Sequence, residues 1–288
     1  MQITGPIVSL DEQVGIGDLI NSDRFLQLAH DLKIPYFKRD FLFRSGVWRG
    51  ARQTSVYFGR NASKIVMIGH GDKPTSNSTQ QICKMLGVES IFGTNLSPIE
   101  GYSKSIPLGL TNPTNETPLH RIFGEIGHFE KAWAESDLVN HFDRSALVGF
   151  SANTNKIRAK LLKMLKSNQH GLRIVHHNMD FSDTGRIDYL VKSRSTNMVL
   201  CPEGNGFDTH RFWETLYMGG VPVVVANPYL DTLFDNVPCI KLKSWNDLSN
   251  KVLLESLWHD ANSKKWDSSF ISFSYWRREI ENVFKDQT

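Results

Sequence analysis

Cysteine is scarce in this chain: three in 288 residues, Cys83, Cys201 and Cys239, with no Cys-x-x-Cys among them. So few and so scattered, they exclude a disulfide framework and a cysteine-rich zinc site, and reduced thiols are expected. Long apolar runs are absent too; none approaches the roughly 20 residues that cross a bilayer. The opening MQITGPIVSL has neither the charged start nor the apolar stretch of a secretory leader, which points to a cytoplasmic protein. In that setting the Asn-x-Ser/Thr triplets beginning at Asn61, Asn77, Asn95 and Asn115 read as chance matches. Nor does one sign of charge dominate. Thirty-three Lys and Arg stand against 30 Asp and Glu, a formal +3, too balanced to imply a nucleic-acid partner. That mildly basic balance suits an anionic ligand or a membrane surface. Internal repeats and low-complexity tracts are also missing.

What is present is the composition of a chain that buries a core: 40% hydrophobic and 22% charged residues, with mean hydropathy −0.32. At about 100–200 residues per domain the length favours two, placed at 1–140 and 141–288. The second half alternates apolar runs with helical patterns. Strands are expected at 146–151, 172–176, 197–201, 221–226 and 237–242, with helices at 156–167, 185–194 and 209–218. Continuous apolar strands separated by helices signal a parallel sheet covered on both faces, a doubly wound α/β unit. The first half is less regular. Strands are expected at 65–68 and 90–92 and helical stretches at 80–86 and 122–139, and 105–110 leads into a polar, proline-bearing stretch at 111–118, a pattern that allows a second, smaller α/β unit.

The segment 199–226, VLCPEGNGFDTHRFWETLYMGGVPVVVA, carries the chemistry. A strand ends at Cys201 and delivers the turn Pro202-Glu203-Gly204-Asn205-Gly206, after which Asp208 or Thr209 caps a helix. The free N–H groups and positive dipole end of that helix suit a phosphate, and glycines such as Gly204 let backbone approach it. Arg211 in the first turn can grip a diphosphate as a bidentate donor. Glu214, three residues on, suits the paired hydroxyls of a ribose; the alternative is a plain Arg211–Glu214 helix salt bridge. This stretch resembles the donor-binding motif of the exostosin-like glycosyltransferases. There a strand ending in Cys-Pro leads through a Gly/Asp turn to Arg-x-x-Glu-(Ala/Thr)-Leu, then a glycine and Val-Pro-Val. The likeness runs closely over 197–245 and more loosely from Ala146. It departs at Glu203, where the family often has a basic residue.

The resemblance implies the GT-B fold: two Rossmann-like domains facing a cleft, with the last helix, 274–284, packing back. It implies transfer of a sugar from a nucleotide-sugar donor, held by the C-terminal domain, to an acceptor hydroxyl, with inversion. The missing leader and membrane span add the expectation of a glycan or lipid-linked acceptor in surface polysaccharide synthesis. Arg211 would then contact the nucleotide or its phosphates and Glu214 the ribose, with Asp208, Thr209 and His210 opening the same helix. A second strand–loop–helix, VGFSANTNKIR at 148–158, resembles the S-x-N…R element of related enzymes and adds Ser151, Asn153 and Arg158 to the donor site; alternatively Asn153 or Asn155 only caps the helix. No Asp-x-Asp occurs in the chain, so no metal and no further cofactor are expected.

For the acceptor step, a general base is sought at the end of the 65–68 strand, where His70 and Asp72 form a candidate base and orienter. Arg44, Arg49, Arg52 and Asn95 are candidates for acceptor binding, and one of His176 and His177 for lining the cleft. The aromatic side of the last helix near Trp276 is a candidate contact with the inner membrane face. Competing readings are an epimerase on the same double plan and a non-catalytic nucleotide-sugar-binding protein. Gly15-Ile16-Gly17 is only half a dinucleotide fingerprint, with Ile20 at its third position, so an NAD enzyme ranks lower.

Overall fold

A computed structural model describes residues 16–38, 64–71, 73–114, 117–167 and 170–287. Two all-parallel sheets organise the chain. The first runs β1 (Tyr36–Lys38), β2 (Ile65–Gly69), β3 (Ser90–Gly93) and β4 (Ser103–Ser105), paired in chain order. Helix α1 (Ser22–Asp31) precedes it and α2 (Asn77–Met85) joins β2 to β3. Both helices start on capping side chains: Asn21 accepts the Arg24 N–H and Ser76 the Thr79 N–H. Every residue of β2, IVMIG, is buried, as its unbroken apolar run requires. Strand β4 ends at Ser105, two residues before Pro107, which has no N–H to give to a ladder.

A bridging segment follows. The single helix expected over 122–139 is two pieces, a 3-10 turn Pro118–Gly124 and α3 (Gly127–Ala134). Extended backbone at Glu125 separates them, and Gly124 lies so close to the backbone of Thr111 that a Cβ would come within 2.5 Å of its carbonyl oxygen.

The second sheet holds β5 (Ser145–Val148), β6 (Arg173–His176), β7 (Met198–Leu200), β8 (Pro222–Val225) and β9 (Ile240–Leu242) in the order β6-β5-β7-β8-β9. Helix α4 (Lys156–Lys166) follows β5, α5 (Asp183–Arg194) follows β6, and α6 (His210–Tyr217) follows β7. The short α7 (Asp231–Phe234) and α8 (Lys251–Ser263) complete the unit. The chain steps from β5 to β6 on one side and then crosses back to β7 on the other. Connections leaving β5 and β7 therefore diverge, and a crevice opens beyond their carboxyl ends. The first sheet, paired in chain order, has no such reversal.

The halves are joined, not merely apposed. The largest apolar cluster runs from Leu19, Phe25 and Ile106 through Phe212, Trp213 and Tyr217 to Trp276. Loops leaving β3 and β4 meet loops leaving β7 and β8, where Ser105 donates to the Tyr229 carbonyl and His210 to that of Gly109. The last helix, α9 (Phe273–Gln287), returns to the first half: Phe273 packs edge-on to Phe25, Glu279 pairs with Lys104, and Asp18 accepts the Ser274 N–H. Trp276 is buried and donates to the Phe270 carbonyl, so it is unavailable to a membrane. Among the described residues no helix is long and apolar enough to cross one.

Tyr217 sits at this junction. Its hydroxyl accepts the Ile20 N–H at 3.0 Å and donates to the Ile271 carbonyl at 2.8 Å. Tyr217→Phe strands two buried backbone groups and is expected to cost about 1–3 kcal/mol in urea unfolding; an unchanged midpoint would mean the junction does not depend on this hydroxyl.

Candidate functional site

A cavity of about 380 Å³ fills the crevice between β5 and β7. Gly149, Ser151 and Thr154 reach it from the loop after β5, and Gly204, Asn205, Gly206, Asp208 and Thr209 from the turn after β7. Arg158 of α4 and His210, Arg211 and Glu214 of α6 complete that wall. Most of these residues are the ones the two strand–turn–helix motifs lead one to expect together; Asn153 is the exception, exposed and outside the lining. Asn155 caps α4, accepting the Ile157 N–H while its amide donates to the Gly204 carbonyl at 2.7 Å, which fixes the turn against the helix.

Two guanidinium groups dominate the site. Arg158 is buried, donating from Nε to the Glu203 carbonyl and from Nη2 to that of Pro202. Arg211 donates from Nη2 to the Gly149 carbonyl at 2.7 Å. Burial, and then the neighbouring Arg211 charge, push Arg158 down to about 10, so it stays cationic near neutrality. Among the described residues neither arginine has a carboxylate partner within salt-bridge distance. Unpaired buried charge of one sign is costly, and two such charges side by side more so. Five buried side-chain polar atoms lack a hydrogen-bond partner among the described residues, and three belong to lining residues: Arg211 Nε, Arg186 Nε and the Tyr189 hydroxyl. Orphan donors gathered around one cavity mark it as unfinished without a ligand.

Glu214 does not pair with Arg211. Its carboxylate takes Arg186 of α5 in a fork, 2.9 Å from Oε1 and 3.3 Å from Oε2, with the side chains 7% and 2% exposed. The rings of Phe123, Phe129 and Tyr189 surround that guanidinium at 5.2–5.4 Å. Arg186 and Tyr189 escaped sequence reasoning because their helix carries no motif and Arg186 lies 28 residues from Glu214 in sequence.

Asp208 has a structural part. It is buried beneath the helix start, accepting the Leu108 N–H at 2.8 Å and the Trp213 indole N–H at 2.7 Å, while its own N–H goes to Asn95 Oδ1. Asn95, expected at an acceptor surface, is thus a buried clip between the halves. Thr209 is the N-cap of α6, yet its hydroxyl makes no capping bond. His210 donates from Nδ1 to the Gly109 carbonyl at 2.7 Å, which leaves Nε2 as the lone-pair nitrogen of the neutral ring.

The opposite wall comes from the first half and the bridge: Leu108, Thr111, His120 and Phe123. His177, not His176, lines the site, paired with Asp188 at 3.1 Å and held below the usual histidine range by burial. His70 is elsewhere. Its Nε2 lies 2.8 Å from Asp23 Oδ1 and its Nδ1 2.7 Å from the Tyr36 hydroxyl, so neither ring nitrogen is free, and it is not in the lining. Its acidic partner is Asp23, 47 positions away; Asp72, Arg44, Arg49 and Arg52 lie outside the described residues. Among the described residues no cluster of three metal-binding side chains occurs.

Arg186→Met leaves the Glu214 carboxylate buried and alone, with an expected loss of about 3–5 kcal/mol, most of it recovered by adding Glu214→Leu. A double variant as unstable as the single one would show that the loss comes from the missing Arg186 side chain and its aromatic contacts, not from an unpaired Glu214 carboxylate. Burial raises the Asp208 carboxyl to about 7 against its three N–H donors. Between the unfolded value of 3.8 and about 7, the folded state holds the extra proton, so this group's contribution falls as pH rises. The cost of Asp208→Asn in unfolding is therefore expected to be largest near pH 4 and smallest above pH 7; a pH-independent cost would contradict this.

Among protein-family models none matches this chain, and no curated protein matches it either.

Proposed function

We propose that the chain is a glycosyltransferase of GT-B type that binds a nucleotide sugar with its diphosphate between Arg158 and Arg211. The observation that carries this reading is the pair of neighbouring guanidiniums that make no salt bridge among the described residues, set in a cavity at the reversal point of a parallel sheet. A diphosphate supplies the missing negative charge, accepts from Arg211 Nε, and meets the Thr209 hydroxyl and the first amides of α6.

In the reaction an acceptor hydroxyl attacks the anomeric carbon as its bond to the diphosphate oxygen breaks. The electron pair of that bond leaves with the nucleoside diphosphate, whose growing charge the two arginines neutralise in place. The acceptor proton passes to His210 Nε2, the tautomer being set by the Gly109 carbonyl. His210 replaces His70 in this role because it faces the cavity with a free nitrogen. Attack opposite the leaving group inverts the anomeric centre. The ribose role expected of Glu214 then uses carboxylate lone pairs that Arg186 leaves open.

The cavity mouth bears on the acceptor. Of six exposed large hydrophobic side chains among the described residues, Met179 lines the cavity, Phe181 stacks on lining His120, and Leu119 is the next residue to it. An apolar lip beside an anion site suits an acceptor with a lipid part, as in surface glycan assembly at the inner face of a membrane.

Calorimetry with nucleoside diphosphates and pyrophosphate tests the donor site. One nucleotide is expected to bind, with affinity down about tenfold or more in Arg211→Ala; equal binding by that variant would remove the reading. Release of nucleoside diphosphate from a nucleotide sugar should fall about a hundredfold or more in His210→Gln with donor affinity kept. Donor binding with no turnover by wild type would instead favour a binding protein.

A further inference from the structure

A second cavity, about 500 Å³, opens on the other side of the same turn. Its walls are apolar: Leu161 and Met164 from α4, Val224 from β8, and Leu230 and Phe234 beyond it. The two cavities share one partition. Residues 204–206 line the first and Glu203 the second; on α4, Arg158 lines the first and Ile157 the second.

Glu203 is out of place in such a lining. Its carboxylate makes no hydrogen bond or salt bridge among the described residues, and its backbone carbonyl alone is used, by Arg158. Burial raises this carboxyl above the usual range while the nearby Arg158 charge opposes the shift. A carboxylate accepts and cannot donate, so it calls for a ligand that brings N–H groups. Two lysines, Lys160 and Lys243, line the same cavity without a carboxylate partner among the described residues, and Trp245 offers an aromatic face.

We infer that this cavity receives the base of the nucleotide sugar and that Glu203 selects guanine, so that the donor is a guanosine diphosphate sugar. The inference rests on the nucleotide-sugar reading above. A diphosphate at Arg158 sits beside the partition, and the base of the attached nucleoside reaches across into the apolar space while its ribose stays in the first cavity. Guanine alone among the common bases presents two adjacent donors, N1–H and the N2 amino group, that match both oxygens of a carboxylate. Its O6, next to them, accepts from an ammonium such as Lys160 or Lys243. Uracil sets a single N–H between two carbonyl oxygens that repel a carboxylate. Adenine and cytosine each place a lone-pair nitrogen beside the amino group, with the same penalty at the second oxygen. Trp245 supplies a face on which any base can stack, so stacking adds affinity and the carboxylate adds choice.

Calorimetry with GDP, UDP, CDP, ADP, pyrophosphate and octyl phosphate, on wild type, Glu203→Gln and Met164→Trp, decides the matter. GDP is expected to bind at least about tenfold tighter than the other three nucleotides, and Glu203→Gln to lose about tenfold or more for GDP alone. Met164→Trp, which fills the cavity, should lose GDP, while pyrophosphate binds all three proteins alike and reports an intact fold and anion site. Equal binding of the four nucleotides, or a guanine preference untouched by Glu203→Gln, overturns the assignment. So does pyrophosphate binding without nucleotide binding, or octyl phosphate binding tighter than GDP, which would give the cavity to a lipid chain. If neither pyrophosphate nor any nucleotide binds, the nucleotide-sugar reading itself falls, and this inference with it.

Discussion

The Asp208 carboxylate, buried between the two sheets, is the contact on which the site depends. One oxygen takes the backbone of Leu108, beyond β4, and the other takes the Trp213 indole in α6, while the Asp208 amide is held by Asn95. A helix start, a loop of the first half and a buried indole are thereby fixed relative to one another. Because α6 carries His210, Arg211 and Glu214, the same contact sets where those side chains stand against Thr111 and Phe123 across the cavity. Desolvating a carboxylate is expensive, and three N–H groups offset the cost here only when both halves are in place.

Charge is distributed around that anchor with a clear division. Glu214 is neutralised by Arg186 inside an aromatic cage, a pair whose charges balance within the fold although Arg186 Nε keeps no hydrogen-bond partner among the described residues. Arg158 and Arg211 donate to backbone carbonyls and make no salt bridge among the described residues. The closed pair rigidifies the floor of the cavity, and the open pair defines what can enter it. Preorganised donors of this kind favour an anion without having to move when charge develops. Beyond the partition at Glu203 the lining turns largely apolar, with the Glu203 carboxylate and the lysines Lys160 and Lys243 set into it, so the two cavities offer a ligand different chemistry.

Much of the second half is legible in the amino-acid sequence. Its strands are continuous apolar runs, its helices begin at Asn155 and Ser182 caps, and its turn chemistry is packed into a few consecutive residues. The first half is less so. Helix α1 is missing from the expected elements although Asn21 caps it and Phe25, Leu28 and Ala29 form an apolar stripe at helical spacing. Strand β1 is three residues long and the bridge helix is cut at Gly124. Those two short elements are stabilised by neighbours distant in sequence rather than by their own periodicity.

Local sequence determined the strand–turn–helix units after β5 and β7, because caps, glycines and the arginines that follow them act within a few residues of chain. It could not determine who partners whom. Glu214 met Arg186 instead of Arg211, His70 met Asp23, Asp208 turned inward to Leu108 and Trp213, and Asn95 became a clip. Those pairings were decided by tertiary structure, since buried charges and amides must find partners wherever the packed chain brings them within hydrogen-bond reach, however far apart they lie in sequence.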